Sequence, residues 1–282
     1  MLSYRHAFHA GNHADVLKHF VFALVLDYFK QKDKLFCVVD THAGAGLYAL
    51  DKGFAKQNAE FESGIAKLYS ASDLPESIKS YVDFIKKLNE NKQLNLYPGS
   101  PLIAQHFLRR DDKLRLFELH PNDCKLLLEN FYGQGRQTKI EMLDGFAGIK
   151  ACLPPPSKRA VVLIDPPYEL KEDYQRVVDC IKDSLTRFAT GTYIVWYPLL
   201  QRLEPLQMIE KLKTLHADWL NVTLSVQAPS DEGFGMFGSG LFMINPPWTL
   251  PKILEETMPY LTKMLAQDDN AEFTLTSQIK LR

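Results

Sequence analysis

The sequence predicts an α/β fold, an open and mostly parallel sheet flanked by helices. Three observations predict it. Short apolar or alternating runs at 36–39, 113–117, 138–143 and 160–164 have the length of strands rather than helices. Each runs into a turn that carries either a glycine pair or an acid. Several of the stretches around them follow helical periodicity instead of alternation. Ligands of such sheets bind in the crevice beyond the carboxyl ends of the strands, so these turns are where function is expected.

Along the chain, residues 15–29 form an amphipathic helix with Val16, Leu17, Phe20, Val21, Leu24 and Val25 on its apolar face. The strand ending at Asp40 enters Thr41-His42-Ala43-Gly44-Ala45-Gly46, whose glycines suit close backbone approach to a ligand. Gly44, Gly46 and Ala49 also satisfy the dinucleotide fingerprint, so a nicotinamide-dependent oxidoreductase is a rival reading, and a turn with no ligand is a third. Between Gly46 and Ser100 there is no strand signal, only helical patterns near 61–69 and 75–91. The expected organisation is therefore a main domain of residues 1–48 and 97–282 with a helical insertion at 49–96. Ser100 is an N-cap candidate for a helix at 102–108. The strand at 113–117 ends on Glu118 and that at 138–143 on Asp144-Gly145, placing one carboxylate for ribose hydroxyls and one for an adenine amino group. Helices near 174–188 and 205–215 and strands at 192–197, 221–227 and 241–245 follow, with Pro154-Pro155-Pro156 a loop and 233–240 a glycine-rich turn.

Asp165-Pro166-Pro167-Tyr168 ends the fourth strand. Its prolines fix the backbone, so the carboxylate and the Pro166 carbonyl can each accept a hydrogen from an exocyclic amine while Tyr168 stacks on a flipped base. Asp-Pro-Pro turns also terminate strands with no chemistry. Asn245-Pro246-Pro247-Trp248 is a decoy of this kind, reached two or more strands too late. The order glycine loop, acid, acid, Asp-Pro-Pro-Tyr on successive strand ends resembles the class I amino-methyltransferases that use S-adenosylmethionine. An oxidoreductase would need an acid about 20 residues beyond the glycines, where Glu60 and Glu62 are only loosely placed.

The segment from Tyr4 to His19 packs four histidines, Arg5, Lys18 and two aromatics together. His9 and His13 stand at zinc-ligand spacing, but Asn12 interrupts the pattern and no cysteine lies near, so no metal is expected. With Asp40-Thr-His-Ala-Gly-Ala-Gly46, Tyr97-Pro98-Gly99-Ser100-Pro101 and Asp-Pro-Pro-Tyr, this segment resembles the RlmJ family, adenine-N6 methyltransferases of large-subunit (23S) ribosomal RNA. The resemblance covers nearly the whole chain and is least distinctive after Trp248. It implies a Rossmann-like, mostly parallel sheet with an antiparallel last strand, S-adenosylmethionine as cofactor and S-adenosylhomocysteine as product. It implies catalysis by Asp165, Pro166 and Tyr168. Cofactor contacts would come from His19, Asp40, His42, Gly44, Gly46, Ser100, Glu118, Asp144, Gly145 and Asp165. Tyr4, Arg5, His6 and Lys18 would face the RNA. For Tyr4 the competing role is a hydrophobic staple on the first helix. A guanine-N2 ribosomal RNA methyltransferase shares Asp-Pro-Pro-aromatic and stays open, as does a non-catalytic RNA-binding module, against which the acids on strand ends argue.

The 282 residues suffice for one core with an insertion. A net charge of -1 is unusual for an RNA enzyme, so local clusters must supply phosphate contacts: Arg5, Lys18, Lys30, Lys32 and Lys34, or Lys86, Lys87, Lys92, Arg109 and Arg110, or Lys158 and Arg159. Cys37, Cys124, Cys152 and Cys180 are isolated, which suits reduced thiols in a cytoplasm. No membrane span or cleavable signal is expected, and the protein is expected to be a monomer.

Overall fold

The computed structural model describes residues 6–133 and 135–279. The first long element is α1 (His13–Lys30), started by Asn12, whose side chain accepts from the amides of Ala14 and Asp15. It was expected to be amphipathic, yet every residue of its first three turns is buried, because it lies against a helix, strand and insertion on different sides. Its polar residues His13, Asp15, Lys18 and His19 must therefore find partners inside the protein.

From there the chain runs through β1 (Cys37–Asp40), β2 (Leu47–Ala49), α2 (Gly53–Asn58), α3 (Ile65–Ser70), α4 (Glu76–Leu88), β3 (Leu96–Pro98) and α5 (Ser100–Phe107). It continues with β4 (Lys113–Phe117), α6 (Pro121–Asn130), β5 (Thr138–Glu141), α7 (Gly145–Cys152), β6 (Ala160–Ile164) and α8 (Glu172–Arg187). The last elements are β7 (Thr192–Leu199), α9 (Leu203–Lys213), β8 (Trp219–Ser225), β9 (Gly238–Ile244), α10 (Leu250–Leu265) and β10 (Glu272–Gln278).

Eight strands form one sheet in the order β10-β8-β9-β7-β6-β1-β4-β5. The run from β7 to β5 is parallel, with Asp40 in register with Leu116 of β4 and Leu163 of β6, so the turns after β1, β4 and β6 open along one edge. The expected antiparallel strand is β9, which lies between β7 and β8 and runs against both. A further antiparallel strand, β10, borders β8. It gave no sequence signal because Thr274, Thr276, Ser277 and Gln278 leave it only lightly buried.

The segment expected to lack strands is closed at its base by the short β2–β3 ladder, Leu47 opposite Pro98. Three residues a side are too few for a pattern to show. Ile65, Leu68, Ile78, Tyr81, Val82 and Ile85 of this segment are buried in the same apolar cluster as α1. Ser100 is the first residue of α5, with Gly99 at the N-cap, and its hydroxyl is used elsewhere. None of the described helices is long and apolar enough to cross a membrane.

Candidate active site

A cleft opens at the carboxyl ends of β1, β4, β5 and β6. Its floor is the turn after β1. Asp40 is fully buried, accepts the Ser100 hydroxyl at 2.6 Å and the His42 amide at 3.2 Å, and so ties the turn to α5. Burial pushes its carboxyl up to about 7. Asp40 was expected to touch the cofactor, but it lies beneath the loop and not on the cleft wall, because its carboxylate is spent on holding the loop. Gly46 is likewise off the wall. At φ 77° a side chain there would be strained and would meet Leu127 at 2.9 Å, so this glycine serves packing. Gly44 lines the cleft at φ 61°, where a Cβ would come within 2.3 Å of the Tyr48 hydroxyl. His42 also lines the cleft, its ring edge-on to Phe146, with burial holding it down to about 4.

On one wall Glu118 accepts the amides of Gly44 and His120, each at 2.7 Å, so both oxygens are aimed while spare lone pairs face the cleft. Desolvation raises its carboxyl above the usual range in spite of those amides. Asp144 caps α7 through the Phe146 amide at 3.0 Å and pairs with Arg176, whose guanidinium stacks 4.4 Å over Phe146. A Cβ on Gly145 would approach the Thr41 carbonyl to 1.9 Å, which explains the glycine beside Asp144.

Opposite stand Asp165 and Pro166. Asp165 accepts from Lys18 Nζ at 2.6 Å, across 147 residues of chain. The same ammonium lies 2.9 Å from Asp15 and 5.8 Å from the Trp196 ring centroid. Between two carboxylates Lys18 is held well above its ordinary range, and despite burial Asp15 is held well below its own by His6, Lys18 and His19. Lys18 was expected on the RNA side. It lines the cleft but is almost wholly buried, because two carboxylates draw it inward. His6 also lines the cleft, 2.9 Å from Asp15 and tilted over Tyr48. His19 reaches the cleft with its Nδ1 2.7 Å from the Tyr97 hydroxyl, and burial holds it well below its ordinary pKa.

Tyr168 was expected to stack on a base. Instead its ring turns away from the cleft into the core against Tyr174, and its hydroxyl donates to the Trp196 carbonyl at 2.7 Å. Its φ of 50° is the cause: the left-handed residue after the two prolines reverses the chain. Asn245 shares that φ, and its side chain donates to the carbonyls of Ala189 and Gly191, closing a turn at the opposite end of the sheet. His9 bonds to Glu60, and His13 is buried and held down to about 4 by desolvation. Tyr4 and Arg5 lie outside the described residues. Sequence reasoning missed Asp15, Tyr48 and Arg176. Only Asp15 had a signal, its i+3 and i+4 spacing to Lys18 and His19.

The model of the family described as "Ribosomal RNA large subunit methyltransferase D, RlmJ" matches residues 33–276. Proteins named Ribosomal RNA large subunit methyltransferase J from Haemophilus influenzae and from Escherichia coli are each 46% identical over 277 residues, 98% of both chains. A crystal structure of a Legionella pneumophila protein superposes with a TM-score of 0.90 at 34% identity, covering 97% of this chain and 100% of that one. With a shared sequence, a shared fold and the cleft described above, this chain belongs to the RlmJ family of ribosomal RNA large subunit methyltransferases.

Proposed function

We propose that the protein transfers a methyl group from S-adenosylmethionine to the N6 amine of an adenine in large-subunit (23S) ribosomal RNA. The observation that carries this is the Asp165 carboxylate, pinned by Lys18 beside the Pro166 carbonyl and facing Glu118 across one cleft. The names of the relatives supply the substrate class.

The residues fit the cofactor. Glu118 offers aimed lone pairs for two ribose hydroxyls, Asp144 at the start of α7 suits an adenine amine, and Gly44 presents bare backbone on the cleft wall. When bound, S-adenosylmethionine supplies an electrophilic methyl group on a positively charged sulfur. The protein supplies position. Asp165 and the Pro166 carbonyl take the two amine hydrogens, which draws the nitrogen lone pair out of conjugation with the ring and towards the methyl. Positioning of this kind is worth roughly 7 to 11 kcal/mol in the best intramolecular reactions, so no strong base is needed. Tyr168 contributes by bracing the Asp-Pro-Pro turn from below, and the extruded base must stack on other groups, for which Tyr4 is the candidate. Arg5 and His6 extend that side towards RNA. In this reading residues 49–96 are an inserted helical subdomain and the enzyme works as a monomer in the cytoplasm.

The test is incubation with labelled S-adenosylmethionine and ribosomal RNA lacking the modification, followed by digestion to nucleosides and mass spectrometry. N6-methyladenosine is expected. N2-methylguanosine would replace this reading with the guanine one, and no incorporation, with NAD binding by calorimetry, would replace it with an oxidoreductase.

A further inference from the structure

Asp15 is a buried acid beside the cleft, 1% exposed, and the mechanism above makes no use of it. One of its oxygens accepts the Gly11 amide and meets His6 Nε2, both at 2.9 Å. The other lies 2.9 Å from Lys18 Nζ, which also meets Asp165 at 2.6 Å. Carboxylate, ammonium and carboxylate thus stand in a row that ends at the cleft. Neutral groups in place of the whole row would cost the fold little, since interior ion pairs roughly break even against apolar packing, so its charges point to a use at the cleft.

We infer that Asp15 is a positioning residue for methyl transfer, the second carboxylate that balances Lys18 and leaves Asp165 its negative charge towards the substrate amine. The inference rests on the function proposed above. As the methyl moves, the bond to sulfur breaks and the bond to N6 forms, so the positive charge passes from sulfur to nitrogen until one N–H proton leaves to water. Lys18 paired with Asp165 alone would present a neutral pair to that nitrogen. With Asp15 added, Lys18 is shared between two carboxylates, so less of its charge is spent against Asp165 where positive charge develops. Asp15 also fixes His6 and the turn at Gly11, so the same side chain orders the wall that precedes α1.

Single-turnover methylation, S-adenosylhomocysteine affinity and melting temperature are measured for D15N, K18M and D15N/K18M. D15N keeps an acceptor for the Gly11 amide and removes the charge. It should slow methylation by about tenfold or more while cofactor affinity stays within about twofold. In the K18M background, where no cation remains to balance, the same substitution should cost less than about threefold. The acid limb of the K18M pH–rate profile should also move upward, because Asp15 and Asp165 then repel, and should return in the double variant. The groups facing Asp165 besides Lys18 are Asp40, His42 and Tyr168, and those facing Asp15 are His6, His19, Tyr48 and Tyr97. These are unchanged across the set.

A D15N rate within about threefold of the parent overturns the inference, as does an equal loss in both backgrounds. If D15N alone fails to fold, the acid limbs of K18M and D15N/K18M decide, and coincident limbs overturn the inference. Failure of the parent to make N6-methyladenosine would sink the proposed function instead, and is read in a separate assay.

Discussion

The two walls of the cleft hold their acids in different ways. Glu118 is held by backbone amides alone, those of Gly44 and His120, and Asp144 by the amide of Phe146 together with Arg176. Asp165 is fixed by a side chain from a helix 147 residues away, which is in turn balanced by Asp15. A wall built from local amides tolerates change around it, because any residue supplies the donor. A wall built from charged side chains depends on each of them, since removing one leaves a buried charge without its partner.

The contrast breaks most sharply at Asp165. Asp165→Asn should lower the methylation rate by about 1000-fold, roughly 4 kcal/mol, while S-adenosylhomocysteine binding is largely kept. A loss of less than tenfold would mean that the carboxylate does not meet the amine. Both substitutions take one counter-charge from Lys18, and Asp165→Ala also removes the acceptor of its hydrogen bond, so the melting temperature should fall further in the alanine variant.

Acid should loosen both walls. His13 and His42 are held down to about 4 by burial and His19 well below its ordinary value, against about 6.5 in the unfolded chain. Such groups contribute stability that is complete above pH 6.5 and is lost as pH falls towards the folded value, about 3 kcal/mol each for His13 and His42. Asp40, raised to about 7, acts with the opposite sign: its protonated form is favoured in the fold, so its share is lost as pH rises from about 4 to 7. Three histidines outweigh one aspartate. The melting temperature should fall between pH 7 and pH 5, and more steeply in Asp40→Asn. A flat profile would contradict the neutral state of the buried imidazoles.

Glu118→Ala sharpens the contrast from the other side. It removes the aimed lone pairs but no charged partner, so S-adenosylhomocysteine affinity should drop by about 10- to 100-fold, 1.4 to 2.7 kcal/mol, with little change in melting temperature. Calorimetry with an unchanged dissociation constant would place the ribose elsewhere. The smallest effect is expected for Tyr168→Phe. Losing the hydrogen bond to Trp196 should cost about 1 kcal/mol of stability and leave turnover near that of the parent. A large loss of activity without destabilisation would return Tyr168 to the base-stacking role.

The same contrast explains what the sequence revealed. The parallel strands, their acidic ends and the glycine loop were legible because each is written within a few residues: an apolar run, then a turn, then an acid. The row of Asp15, Lys18 and Asp165 was not, since no local pattern says that a helix near the start will send its lysine to the turn after the fourth parallel strand. Tyr168 was misjudged for a related reason. The prolines before it advertise a rigid turn but not its hand, and φ 50° decides which way the ring points. The β2–β3 ladder and β10 escaped because one is too short and the other too polar to give a strand pattern.

The reach of Lys18 to Asp165 also has a kinetic meaning. Closing a loop of that length adds little to the entropy cost of a shorter one, which grows only as the logarithm of length. It does delay assembly, because contacts between distant segments form after local ones. During synthesis α1 emerges first and must wait for β6 before its ammonium finds the second carboxylate. Until then the helix exposes the apolar run from Phe20 to Leu26 between charged ends, a surface prone to association. The wall that holds Asp165 is therefore expected to be the last part of the cleft to form.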